Sequence, residues 1–412
     1  MSSTPLIENF FRREYANLVA TLSRRVGVQH FELVEDSVQS ALMTALQSWT
    51  IKGLPQNPSA WLYRVAANSL MSELRQAAGH ARLLRENAED FNLAVSPEFF
   101  TSQQLQDDLL RMLFACCHEN IAIESQLVFA LKTLCGFSIG EISQRLFITE
   151  ANAYKRFSRA RKYLSTTSVH TDELNDNSYP LRLAAVNKVL YLLFTEGYLS
   201  LSHGASIRVE LCEEALRLAT ILAEHRFCQT PETFALLALM HLQLARMSAR
   251  QDSSGGLLLL EQQDRSQWDQ QRIQIGLSWL ERSASGENFS RYHGEAAIAA
   301  EHCLASSFEH TRWHEIVRNY ELLEQVAPSA IHRLNRAVAL AQWQGPRVAL
   351  HMLEVFEAPT WLLNSYQWNA VLADLHGRCG NEVAVRPYRE AALKLAPTEA
   401  LRSLLRQRLE KD

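Results

Sequence analysis

The chain has 412 residues, with 41 Lys plus Arg against 45 Asp plus Glu and a formal net charge of −4. That length exceeds one ordinary hydrophobic core, so two or three domains are expected. A slightly acidic total excludes a surface that binds polyanions all over; any positive charge that matters must be local.

Glycine and proline sit mostly between periodic segments, and alternating β-branched runs are almost absent, so the predicted fold class is all-α. Seven scattered cysteines make no disulfide framework and fit a reducing compartment. The opening MSSTPLIENFFRREY lacks the charged start and apolar core of a signal peptide. No apolar run approaches membrane-spanning length. A cytoplasmic protein with no membrane partner is expected.

The N-terminal unit, residues 8–78, carries two strong helical patterns. From Leu33 to Trp49, the residues Val34, Val38, Ala41, Leu42, Ala45 and Trp49 form an apolar stripe. Glu35, Asp36, Gln39 and Met43 fall away from it. Asn57 followed by Pro58 is a helix start, because Asn can cap and proline suits a first turn. That helix turns Trp61, Leu62, Val65, Ala66, Leu70 and Leu74 inward and leaves Arg64, Asn68 and Arg75 among its polar positions. Residues 79–105 lose periodicity and turn acidic, which predicts a linker.

Residues 106–165 form a small helical unit whose end is the most informative stretch of the chain. Cys116, Cys117 and His118 lack the spacing of a zinc site and are predicted to be core residues. Ile139, Ile142 and Leu146 make one inward stripe, Phe147 and Ile148 fill a turn, and Thr149 is placed to cap a second helix. There Ala153, Phe157, Ala160 and Leu164 form a buried seam, and Asn152, Lys155, Arg156, Arg159 and Lys162 repeat on another face. An apolar seam with a parallel basic stripe is what a DNA recognition helix needs. A solvated basic face is the plainer reading.

Residues 166–179 read as a second linker and 180–412 as stacked helical pairs. Tyr320, Leu323 and Pro328 recur in role as Tyr388, Leu395 and Pro397, a TPR-like pattern, although Pro387 sits awkwardly inside the last unit. Asp264, Arg265, Trp268 and Asp269 concentrate polar and aromatic groups, either in a partner groove or in a buried network that fixes helix register. His293 is predicted to be structural. No P-loop, Rossmann, Gly-x-Ser-x-Gly or HExxH motif occurs, so neither catalysis nor a cofactor is expected.

The order of these pieces resembles regions 2 and 4 of extracytoplasmic-function-type RNA polymerase sigma factors. The resemblance rests on EDSVQ, NPSAWLYRVAAN, an acidic linker and a helix-turn-helix ending SRARKYL. VLYLLFTEGY, LLALMHLQLAR, LLLLEQQDRSQWD, LNRAVALAQWQGP and YREAALKLAPTEA resemble the subgroup with a large TPR-like C-terminal extension. The resemblance implies a promoter-recognition subunit with no catalytic chemistry. Its implied partners are promoter DNA, core RNA polymerase (β′ clamp helices and β flap) and a regulatory protein at the C-terminal half. Glu35, Asp36 and Gln39 match the polymerase-docking surface. Asn57, Trp61, Arg64, Asn68 and Arg75 match the −10 reader. Thr149, Asn152, Lys155, Arg156, Arg159 and Lys162 match the −35 reader. Ala67, Ser69, Ser72 and Glu73 depart from the family's more basic −10 helix, and Phe147 replaces a common turn glycine. The alternative is a helix-turn-helix regulator that senses or oligomerises through its TPR-like half.

Overall fold

The computed structural model describes residues 4–78, 102–146, 148–166, 178–198, 209–252 and 256–409. Among them the regular structure is helical, and the extended pairing is one isolated bridge between Gln251 and Leu257. The chain divides into two compact units, Met1–Leu193 with Glu224–Cys228, and Phe194–Ala223 with Gln229–Asp412.

The first unit starts with α1 (Thr4–Val26), α2 (Phe31–Lys52) and α3 (Pro58–Ala78). It continues with α4 (Ser102–Cys116), α5 (Ile123–Cys135), α6 (Ile139–Leu146), α7 (Glu150–Thr166) and most of α8 (Ser178–Tyr198). Local chemistry sets the ends. Asn57 caps α3 by accepting from the Ala60 amide at 3.0 Å. Ser138 and Glu141 open α6 with a capping box: the Glu141 amide donates to Ser138 Oγ at 3.2 Å, and the Ser138 amide donates to Glu141 Oε2 at 2.8 Å. α5 ends at Gly136 in the left-handed conformation, φ +64, with the Phe137 amide donating back to the Leu131 carbonyl at 3.2 Å. A side chain at Gly136 would also crowd the backbone of Arg12 at 3.3 Å, so glycine sets how closely α5 approaches α1.

The N-terminal trio does not stand apart. α1 packs on α2, α4 and α5, and α2 also meets α7. Phe31, Phe129 and Phe157 form one buried aromatic group, with Phe31 4.9 Å from Phe129 and Phe129 5.4 Å from Phe157 between ring centroids. Two ion pairs also tie α1 to later helices: Arg24–Asp108 at 2.7 Å and Arg12–Glu141 at 2.5 Å.

The second unit holds α9 (Val209–Glu224, all but its last residue), α10 (Pro231–Leu244), α11 (Gln270–Ser283), α12 (Arg291–Leu304), α13 (Trp313–Val326) and α14 (Ala330–Trp343). It ends with α15 (Pro346–Glu354), the short α16 (Thr360–Leu363), α17 (Tyr366–Arg378), α18 (Glu382–Leu395) and α19 (Glu399–Leu409). Helices adjacent in sequence mostly pack as neighbours, α10 with α11, α13 with α14, α17 with α18. Gly276 lets α11 lie against α10, since a Cβ there would meet Leu242 Cγ at 2.8 Å. The core of α12–α17 is aliphatic with Trp368 at its edge.

Three expectations need correction. α4 begins at Ser102, so helix already covers residues 102–105; the polar run SQQLQDD reads as linker until Leu105, Leu109 and Leu113 are seen to share a face. The C-terminal half does not begin as a separate body at 180. Residues 178–193 belong to the first unit, where Tyr179 packs edge-on to Phe114 at 4.7 Å and Arg182 pairs with Glu119 at 2.9 Å. The proposed repeat also breaks at Leu395, which is 41% exposed where Leu323 is fully buried, and α18 runs straight through Pro387. Most of the linkers at 79–105 and 166–179 lie outside the described residues, as does Phe147.

Candidate nucleic-acid interface

Helix α7 carries the basic face. Thr149 Oγ1 accepts from the Asn152 amide at 3.2 Å, which fixes the first turn. Ala153, Phe157, Ala160 and Leu164 are buried against the rest of the unit. Asn152, Lys155, Arg159 and Lys162 are exposed and Arg156 is half-exposed. Among the described residues, no carboxylate lies within ion-pair distance of Lys155, Arg156, Arg159 or Lys162. These cations therefore keep their full charge for an outside partner. Tyr154, 55% exposed on the same helix, adds an aromatic group that the charge pattern alone passed over. Arg161 is different, because Glu32 of α2 holds it at 3.1 Å.

The residues matched to the −10 reader run along α3, from Asn57 at its cap to Arg75 in its last turn. Asn57, Arg64, Asn68 and Arg75 are exposed. Trp61 is half-buried and packs edge-on to Trp49 at 5.5 Å; Trp49 in turn stacks on Phe11 at 5.8 Å. Met43, Leu46, Ile51 and Leu54 are exposed apolar residues on the end of α2 and the loop before α3. The sequence reading set Met43 off the α2 stripe and gave Trp61 a role, but did not single out Leu46, Ile51 and Leu54. Ala67 is not on that face: it is buried, so its departure from a basic family position has no bearing on DNA contact.

The acidic stripe of α2 is only partly as expected. Asp36 and Gln39 are exposed. Glu35 is not. Its side chain is buried, and Oε1 receives Lys132 Nζ of α5 at 2.6 Å, Tyr15 Oη at 3.3 Å and Gln39 Nε2 at 3.1 Å. Burial, with the Glu35 carboxylate beside it, holds the Tyr15 phenol well above its ordinary range. Periodicity placed Glu35 off the helix's own apolar stripe, but a neighbouring helix covers that face.

Cys116 and Cys117 are core residues. Cys116 Sγ lies 3.3 Å from Thr133 Oγ1, and burial pushes its thiol up to about 12. His118 is tied to the Asn120 amide at 3.2 Å and packs on Tyr163 at 5.0 Å. Among the described residues no group of His, Cys, Asp and Glu could hold a metal ion, and no helix is long and apolar enough to cross a membrane. His293 is structural, with Nδ1 receiving the Ser290 amide at 3.1 Å and Nε2 lying 3.1 Å from the Ser283 carbonyl.

Residues 11–79 match the family described as Sigma-70 region 2, which spans nearly all of α1–α3. Residues 182–284 match a family of unknown function, DUF6596. Residues 11–79 thus carry a Sigma-70 region 2 domain, which supports a role in transcription initiation with core RNA polymerase and promoter DNA. Over 386 residues, 93% of this chain and 90% of the relative, it is 30% identical to an uncharacterized protein of Rhizobium meliloti (strain 1021). No solved structure matches.

Proposed function

We propose that the chain is a sigma factor of the extracytoplasmic-function type that reads promoters at two elements. The loop and first half of α3 would engage the −10 element through Asn57, Trp61, Arg64 and Asn68, with Arg75 further along the helix. A base leaving the duplex can be read by its edges and by stacking, which suits polar groups beside an aromatic cluster. α7 would enter the major groove at the −35 element, with Arg156 and Arg159 reaching guanine edges or phosphates and Asn152 an adenine edge or phosphate. Thr149 would orient the helix, and Lys155 and Lys162 would contact backbone. The observation that carries this reading is the face of α7: cations without acidic partners among the described residues, lying away from a fully buried seam.

Polymerase docking through α2 begins with Asp36 and Gln39, the two open members of the stripe. Glu35 joins only when Lys132 lets go. The C-terminal helices would act as a regulatory module of TPR-like character, contacting a partner protein. The alternative of an ordinary helix-turn-helix regulator has no use for the α2 stripe, so one experiment separates the two. Asp36→Lys with Gln39→Lys in the full chain is expected to abolish capture of core RNA polymerase while circular dichroism is unchanged. Wild-type capture would refute the docking assignment.

A further inference from the structure

The second unit holds one buried and one partly buried arginine that make no ion pair among the described residues. Arg246, at the end of α10, is 7% exposed, and Arg265 lies in the turn before α11. Both guanidinium groups lie over the indole of Trp268, at 5.1 Å and 4.5 Å from its centroid. Arg246 Nη2 reaches only the amide oxygen of Gln263, at 3.4 Å. Arg265 Nη1 donates to the carbonyls of His302 and Ala305, at 2.6 and 2.8 Å. Of the neighbouring carboxylates, Asp264 accepts from the Ser266 amide at 2.9 Å and Asp269 caps α11 through the Arg272 amide at 3.0 Å, while Glu309, which acts on Arg265 electrostatically, accepts from Ser307 Oγ at 2.6 Å.

Four polar atoms in this cluster are buried without a partner: Arg246 Nε, Arg265 Nη2, Trp268 Nε1 and His302 Nδ1. A buried and a partly buried positive charge with unused donors are costly unless an anion completes them. His302 registers the field: burial first, then Arg246 and Arg265, drive its imidazole down to about 3, so it stays neutral.

His302 is also the link to a cavity of about 280 Å³ that Phe308, Trp313, Tyr320, Asn335 and Gln342 help to line. Trp313 stands edge-on to His302 at 5.6 Å, and Phe308 edge-on to Trp313 at 5.0 Å. Arg246 and Arg265 act on His302 but do not themselves line the cavity, whose wall also includes Glu261 and Arg408. Planar guanidinium forks recognise carboxylates and phosphates.

We propose that this is a binding site for a small organic oxyanion, with a carboxylate or phosphate held between Arg265, Arg246 and His302 and an aromatic or apolar body in the Phe308–Trp313–Tyr320 chamber. The site lies wholly in the second unit and stands independently of the promoter assignments. It gives the C-terminal half a small-molecule input.

The test uses the full chain with benzoate, phenyl phosphate and inorganic phosphate at matched ionic strength, read by calorimetric titration and melting midpoint. Saturable binding of benzoate or phenyl phosphate, tighter than inorganic phosphate, is expected, and the tighter of the two identifies the head group. Gln263→Glu places a carboxylate beside Arg246 with almost no change of shape. It should raise the midpoint of the ligand-free protein and weaken binding about tenfold or more, since a charge-assisted contact is replaced from within. Arg265→Lys keeps the charge, loses the fork and should weaken binding similarly with helicity unchanged. Absence of saturable binding by either aryl anion, or wild-type affinity in Gln263→Glu, would overturn the proposal.

Discussion

Two charged helix faces in the first unit look equivalent in the sequence and differ in three dimensions. The basic face of α7 is open, and the cations Lys155, Arg156, Arg159 and Lys162 lack acidic partners among the described residues. The acidic stripe of α2 is half covered, because Lys132 of α5 takes Glu35 into a buried pair at 2.6 Å. The difference teaches that charge periodicity reports a helix's own faces. It does not report which face another helix will claim.

Breaking the covered pair should have the largest effect. Lys132→Met leaves Glu35 buried without its cation, and a loss of about 3–5 kcal/mol in urea unfolding is expected. Adding Glu35→Leu to that variant should recover much of the loss. A single-variant loss under about 1 kcal/mol would mean that the pair is solvated.

On the open face the expectation is reversed. Arg159→Ala should leave stability within about 0.5 kcal/mol of wild type, as exposed substitutions usually do. It should cost about 1–3 kcal/mol of promoter affinity if it meets a base edge, or flatten the salt dependence if it meets a phosphate. Fluorescence anisotropy across a salt series decides. Thr149→Ala removes the cap of α7 and should cost about 1 kcal/mol of stability. The smallest effect sharpens the comparison most directly. Glu32→Ala removes the other α2 carboxylate that reaches the second half of the unit, the partner of Arg161 at 3.1 Å, 63% exposed. A change of about 0–1 kcal/mol, vanishing in high salt, is expected where the buried pair should be costly to break.

Much of the site was legible because it is local. The seam of Ala153, Phe157, Ala160 and Leu164 follows from helical period, and the caps at Asn57 and Thr149 follow from side chains that reach their own first turn. What was not legible depends on partners distant in sequence. Glu35 is buried by Tyr15 and Lys132, which no window around α2 contains. The start of α8 joins the first unit through Phe114 and Glu119, so a boundary drawn from composition at 180 fell too early. Arg265 and Trp268 stood out in the sequence, yet their meaning needs Arg246 and His302 from two other helices.

The aromatic group of Phe31, Phe129 and Phe157 has a thermal consequence. Its three rings lie between α2, which bears Glu35, and helices α5 and α7. Drawing Lys132 away from Glu35 by parting these helices wets the rings, and wetting apolar surface raises heat capacity. Such contacts lose strength on cooling. Under the docking assignment proposed above, the accessibility of Glu35 is thus tied to temperature through the hydration of these rings.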